Sequence, residues 1–252
     1  CKELLRFADE VDKLDIIEKG PTDYVTDLDK KVEEIIISNL KSTYPKHSFL
    51  SEEIGLIKGK DTDSVWIIDP LDGTTNYIHG FPYYCISIAF VEKGKTLHAV
   101  TIDVSRQDEF TASLGKGAYL NNRRIRVSKR KSMRGSLLSN SSHNTELGKI
   151  RHDNIKTFRA LYGHGLTIRR TGSAALDIAN VAAGRLDGFW GSGLEPWDFA
   201  AGGLLVQEAG GLVSNYFGET DYLEGGNIVC STVKCFKPLL KAIKPFVFIE
   251  KD

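Results

Sequence analysis

This sequence predicts a mixed α+β/α/β fold, with a β-rich first half packed against an alternating second half. Three β-rich segments, 84–92, 95–104 and 108–113, follow one another, and Gly94 marks a hairpin between the first two. After about Arg134, short strand-like runs alternate with helical ones, the pattern of an α/β layer. No repeat and no low-complexity linker interrupts the chain, so residues 1–133 and 134–252 are expected to pack together as two lobes of one unit.

The elements follow in order. Leu4, Leu5, Ala8 and Val11 fall at helical spacing, so the chain starts helical. Lys19, Gly20, Pro21, Thr22 and Asp23 read as a turn-rich loop. A second helix starts near Thr26 or Asp27, carries Val32, Ile35, Ile36 and Leu40 on one face, and stops before Pro45. Residues 48–51 and 65–68 read as short strands, each running directly into carboxylates: Glu52 and Glu53 after the first, Asp69 after the second. Residues 115–122 read as a turn and 125–127 as a short strand. In the second half, strands are expected at 136–139, 167–169, 186–190, 212–215 and 227–230, and helices at 150–161, 174–183, 199–209 and 234–243.

Composition narrows the class. The 252 residues balance 33 basic against 33 acidic side chains, which argues against a protein that coats nucleic acid. Hydrophobic residues at 41 % and charged residues at 26 % suit a chain with a sizeable core. Cys1, Cys85, Cys230 and Cys235 show no CxxC spacing, so neither a zinc site nor a disulfide scaffold is expected. This usage favours a reducing, cytoplasmic compartment. No apolar run approaches the roughly 20 residues of a membrane span. The chain opens at Cys1 rather than Met and reads as starting partway into a helix, so a preceding segment is expected.

The stretch WIIDPLDGTTN, residues 66–76, carries the most chemistry. An apolar strand ends at Asp69, Pro70 is expected to turn the chain, and Asp72 follows. Gly73 allows close backbone approach, and Thr74, Thr75 and Asn76 open a short helix. Two carboxylates on a tight turn followed by free N–H groups suit a hard cation beside a phosphate. Oxygen ligands without histidine favour Mg²⁺ or Mn²⁺ over Zn²⁺. Turn formation and helix capping would explain the same residues taken alone. Three further acidic stretches support the metal reading: Glu52 and Glu53 at a strand end, Asp198 before an apolar helix, and Asp23, Asp27 and Asp29 at the mouth of the second helix.

Taken together, these stretches resemble the inositol monophosphatase family, from Lys19 to about Cys230. The motifs are the 66–76 stretch, Trp197 to Gly202 with the Glu-Ala-Gly-Gly at 208–211, and supporting runs at 115–119, 169–175 and 226–229. The resemblance implies the layered αβαβα sandwich and a Mg²⁺-dependent phosphomonoesterase with two or three cations per site. It implies that Glu52, Asp69 and the Leu71 carbonyl hold one cation, and that Asp69, Asp72 and Asp198 hold a second. Thr74, helped by Asp29, would activate water, and the N–H groups of Gly73 and Thr74 would cradle phosphate. Gly172, Ser173, Ala174 and Arg169 would face the alcohol, while Lys19 and Asp23 lie on the loop that closes over the site. A homodimer and lithium sensitivity are also implied.

One departure bears on substrate. Gly191 stands seven residues before Asp198, where the family carries a glutamate that contacts inositol hydroxyls. Inositol-1-phosphate is the first expectation. Histidinol phosphate, fructose 1,6-bisphosphate and nucleotide 3′-phosphates are the alternatives on the same scaffold. A regulatory protein bound to the transcription machinery is the alternative outside enzymes. The basic run at 123–131 reads either as an RNA contact or as a solvated edge hairpin.

Overall fold

The computed structural model describes residues 1–8, 16–20, 23–142, 150–163 and 165–249. In chain order the first half holds α1 (Lys2–Phe7), β1 (Ile16–Gly20), β2 (Asp23–Thr26), α2 (Asp27–Thr43), β3 (Ser48–Ser51), β4 (Gly55–Ile57), β5 (Ser64–Asp72), α3 (Thr74–Ile78), β6 (Cys85–Glu92), β7 (Lys95–Asp103), β8 (Asp108–Ser113), β9 (Gly117–Leu120) and β10 (Arg123–Arg124). The second half holds β11 (Leu137–Ser142), β12 (Ile150–His152), α4 (Asn154–Tyr162), β13 (Thr167–Arg169), α5 (Ala174–Ala182), β14 (Gly188–Ser192), α6 (Pro196–Glu208), β15 (Leu212–Ser214), β16 (Asn227–Ser231), α7 (Val233–Ile243) and β17 (Val247–Ile249).

An eight-stranded sheet runs β10-β9-β8-β7-β6-β5-β3-β4, antiparallel except for the β3–β5 pair. A five-stranded sheet runs β13-β11-β14-β16-β15, with β13, β11 and β14 parallel and β16 antiparallel to both its neighbours. Two small hairpins, β1–β2 and β12–β17, complete the pairing.

Helices α5 and α6 lie between the sheets; α6 contacts β5 to β8 on one side and β15 and β16 on the other. Every residue of α5 is buried, as is Phe199 through Val206 of α6. A helix that is apolar all round belongs in an interior. By contrast, α7 buries Cys235, Leu239 and Ile243, spaced four apart, and leaves its other face to solvent. It covers the outside of the five-stranded sheet with α4, while α2 covers the eight-stranded sheet. The result is the αβαβα layering. All four cysteines are free, and Cys85, Cys230 and Cys235 are buried. No helix among the described residues is long and apolar enough to cross a membrane.

Several local expectations are corrected. Pro70 does not end its strand: β5 continues to Asp72 through a bulge, with Asp69 opposite Ser87 and Asp72 opposite Cys85. A bulge lacks the ladder hydrogen bond that proline cannot donate. The 115–122 turn contains a strand, β9, because it pairs with β8. Residues 125–127 form no strand; the ladder stops at Arg124, and one bond from the Ile125 N–H to the Ala118 carbonyl follows. The 150–161 helix begins only at Asn154, after Asp153 caps it and β12 pairs with β17. The 19–23 loop has strand at both ends, Lys19 in β1 and Asp23 in β2, while Pro21 and Thr22, like Val11, lie outside the described residues.

Candidate metal centre

Local structure explains how each acid arrives. In the parallel β3–β5 pair Ser51 stands opposite Ile68, so the next residues, Glu52 and Asp69, emerge side by side. The Glu52 N–H donates to the Ile68 carbonyl at 3.3 Å. On a regular strand Asp69 and Asp72, three apart, would face opposite sides of the sheet. The extra residue in the β5 bulge returns them to one side. Asp198 comes from the third residue of α6 and Asp29 from the third of α2.

Asp69, Asp72 and Asp198 each offer an oxygen within 4.8 Å of the others. Each is also fixed by hydrogen bonds to one of its oxygens. Asp69 Oδ1 accepts the Leu71 N–H at 2.9 Å. Asp72 Oδ2 accepts the Ser173 hydroxyl at 2.7 Å and the Ala175 N–H at 2.6 Å, from the other half of the chain. Asp198 Oδ2 accepts the Glu195 N–H at 2.8 Å. Asp69 is buried, whereas Asp72 and Asp198 keep part of their surface open to solvent.

This crowding is electrostatically costly. Burial, then Glu52, Asp72 and Asp198, pushes Asp69 well above the ordinary carboxylate range. Burial raises Asp72 to about 6 against the pull of its hydrogen bonds, and burial followed by Asp72 raises Asp198. None of the ion pairs among the described residues reaches these three acids. Among the described residues the group that could share one ion is made of these three carboxylates alone, with the Cys85 thiol behind Asp72 at 3.9 Å from its Oδ2, and an all-oxygen group fits hard divalent cations.

A hydroxyl–carboxylate pair adjoins them. Thr74 Oγ1 lies 3.2 Å from Asp29 Oδ1 and 3.0 Å from the Leu71 carbonyl oxygen. Asp29 is buried, its Oδ2 accepts both the N–H (2.9 Å) and the hydroxyl of Thr26, and burial raises its pKa. Gly73 precedes α3 at φ +99°, where a Cβ would lie 3.1 Å from the Tyr83 carbonyl oxygen. Helices α2, α3, α5 and α6 each bring a first-turn group to this cluster: Asp29, Thr74, the Ala175 N–H and Asp198.

The structure brings Glu52, Asp69, Leu71, Asp72, Gly73, Thr74, Asp29, Ser173, Ala174 and Asp198 together. Ser173 is fully buried and its hydroxyl serves Asp72. Arg169 is exposed and its guanidinium rests on the Ile168 carbonyl at 3.2 Å, apart from the acids. Gly172, at φ +89°, packs on Asn76, where a Cβ would stand 2.8 Å from Nδ2. Sequence reasoning missed Asn76 as a tie: its amide donates to the Tyr83 carbonyl at 2.7 Å and the Thr171 carbonyl at 2.8 Å, joining the α3 turn to the start of α5. It also missed Asp177, buried in α5, which accepts the Tyr83 hydroxyl at 2.7 Å. The one charged residue in the α5 sequence AALDIANVA was the available signal.

Gly191 is sealed by packing. A Cβ there would stand 2.5 Å from Leu194 Cδ1 and 3.0 Å from both Phe189 Cε1 and the Ser141 carbonyl oxygen. Gly191→Glu is accordingly expected to lower Tm by about 5 °C through overpacking. An unchanged melting curve would show that the site relaxes to accept a side chain.

Comparison with known proteins agrees with this geometry. The model of the "Inositol monophosphatase family" matches residues 2–245. The chain is 49 % identical over 245 residues to the Nus factor SuhB of Pseudomonas aeruginosa, covering 96 % of this chain and 90 % of that one. It is 41 % identical over 244 residues to the inositol-1-monophosphatase of Mesorhizobium japonicum, covering 96 % and 91 %. The crystal structure of the extragenic suppressor protein suhB from Bartonella henselae superposes with a TM-score of 0.91 at 40 % identity, covering 96 % and 93 %. With the αβαβα layers and the acidic centre in place, this chain belongs to the inositol monophosphatase family.

Proposed function

We propose that this protein is a Mg²⁺-dependent phosphomonoesterase acting on a small polyol phosphate, with inositol-1-phosphate as the first substrate. The observation that carries the reading is the triad of acids beside the Thr74–Asp29 pair. Glu52, Asp69 and the Leu71 carbonyl are assigned to one cation, and Asp69, Asp72 and Asp198 to a second, with Mn²⁺ as a substitute and room for a third. Bound there, divalent cations supply Lewis acidity to the phosphoryl oxygens and lower the pKa of water. Thr74 orients the attacking water, and Asp29, its pKa raised by burial, takes the proton through the Thr74 hydroxyl. The N–H groups of Gly73 and Thr74, which lack intrahelical acceptors, receive phosphate oxygens. Ser173 holds Asp72, and the backbone at Gly172 and Ala174, with Arg169 at the rim, forms the wall toward the alcohol. Residues 1–133 and 134–252 act as one catalytic unit, since Asp72 is anchored by Ser173 and Ala175.

Phosphate release from inositol-1-phosphate, fructose 1,6-bisphosphate, histidinol phosphate and adenosine 3′,5′-bisphosphate, with Mg²⁺ and with EDTA, tests the proposal. Mg²⁺-dependent release is expected, and the ranking reads the effect of Gly191. A homodimer, inhibition by lithium and a cytoplasmic location go with this reading.

A second reading rests on a specific finding, the similarity to a protein named Nus factor SuhB. In it the chain binds the transcription machinery, using the exposed cations Arg123, Arg124, Arg126, Lys129 and Lys131. No release from any substrate by folded protein would leave this reading in place.

A further inference from the structure

Glu33 lies on α2, one turn beyond Asp29, and is completely buried. Its Oε1 accepts the Ser51 hydroxyl, the Glu53 N–H at 3.0 Å and the Ile54 N–H at 3.4 Å. Its Oε2 is buried without a hydrogen-bond partner. No ion pair among the described residues includes it. An acid in such a place is costly and calls for a compensating role.

The donors to Oε1 show what that role is. Ser51 and Glu53 flank Glu52, whose own N–H is bound to the Ile68 carbonyl at 3.3 Å. The turn bearing Glu52 is thus held by Glu33 on both sides of the residue, through the Ser51 hydroxyl before it and the Glu53 and Ile54 N–H groups after it. Without them the 52–54 turn, which joins β3 to β4 where Ser51 pairs with Gly55, would lose its anchor on α2 and with it the fixed position of Glu52 beside Asp69. The Ser51 hydroxyl and the Glu53 N–H would also lose their acceptor, which costs about 1–3 kcal/mol each if they stay buried.

We propose that Glu33 is a positioning residue for the cation site. It is not a ligand: it holds Glu52 in place from the interior of the α2 layer. The assignment rests on the reading that Glu52 and Asp69 hold a divalent cation. Groups standing behind a metal ligand typically change metal affinity ~10–100-fold when removed.

Mn²⁺ binding followed by the loss of the free-ion EPR signal tests this without reference to turnover. Glu33→Ala is expected to raise the Mn²⁺ dissociation constant ~10-fold. Glu33→Gln keeps an oxygen where Oε1 sits and is expected to stay within about threefold of wild type. Ser51→Ala removes one tie, leaves the helix untouched and is expected to weaken binding about threefold, so the assignment stays testable should Glu33→Ala not fold. Wild-type Mn²⁺ affinity in folded Glu33→Ala, or in Ser51→Ala, would overturn the assignment, as would an equal loss in the Gln and Ala variants. Glu52→Ala separates the two levels: wild-type Mn²⁺ binding there would overturn the metal reading itself, whereas weakened binding there with none in Glu33→Ala would overturn only the positioning role.

Discussion

Asp69→Asn is expected to reduce phosphate release by at least ~10³-fold while leaving the protein folded, because Asp69 is the side chain shared by both proposed cation positions. The substitution is nearly isosteric, and an asparagine Oδ1 can still accept the Leu71 N–H bond that Asp69 makes at 2.9 Å. It removes a charge that burial and three neighbouring acids, Glu52, Asp72 and Asp198, already oppose. Metal-free Asp69→Asn should therefore melt at the same temperature as metal-free wild type or above it. Loss of turnover without loss of stability separates a ligand from a structural residue. An active variant, or one that melts well below wild type, would refute the metal assignment of Asp69.

The second large effect is a pH dependence of stability that divalent metal removes. In the unfolded chain these acids release their protons near pH 4. In the folded, metal-free protein Asp72 holds its proton to about pH 6, the buried Asp177 to about pH 7, and Asp69 and Asp198 are also raised. These acids bind more protons in the folded state than in the unfolded state, so their contribution to stability falls as pH rises from about 4 to above 7, while His152, lowered to about 4 by burial, opposes it only up to about pH 6.5. Mg²⁺ binds the deprotonated acids and stabilises only the folded state, so it acts mainly at the upper end. Calorimetry of EDTA-treated protein should show Tm declining by several degrees between about pH 5 and pH 7.5. Mg²⁺ at ~10 mM should restore most of that decline at the higher pH and do little at the lower. A Mg²⁺ shift of equal size at both pH values would count against proton-coupled binding at these acids.

The chemistry was legible where it was local. Strand β5 running into Asp69, β3 running into Glu52, and the capping acids of α2 and α6 are short-range patterns set by side-chain period and helix-start chemistry. The bulge that lets Pro70 remain inside β5 was not legible, because proline reads as a chain break until the pairing with β6 shows that its missing N–H has no ladder bond to make. The strand at 117–120 was missed for a related reason: its glycine-rich start reads as a turn, and only pairing with β8 settles it. Residues that act through backbone groups left no local trace. Glu33 looks like any acid on an exposed helix face, and Asn76 like a helix-start residue, until the loops they hold are brought against them.

The sequence by itself singled out the acids Glu52, Asp69, Asp72 and Asp198 as candidates, and a β-rich half followed by an alternating half in one chain. Only the tertiary structure decided that Asp72 and Ser173, 101 residues apart, hydrogen-bond at 2.7 Å, and that α2, α3, α5 and α6 each bring a first-turn group to the cluster. The physical reason is range. Periodicity and capping act over a few residues, whereas burying α5 and α6 between two sheets is a global packing solution. That packing buries Asp69 and crowds Asp72 and Asp198 against it, raises their affinity for protons, and turns separate carboxylates into a single site suited to divalent cations.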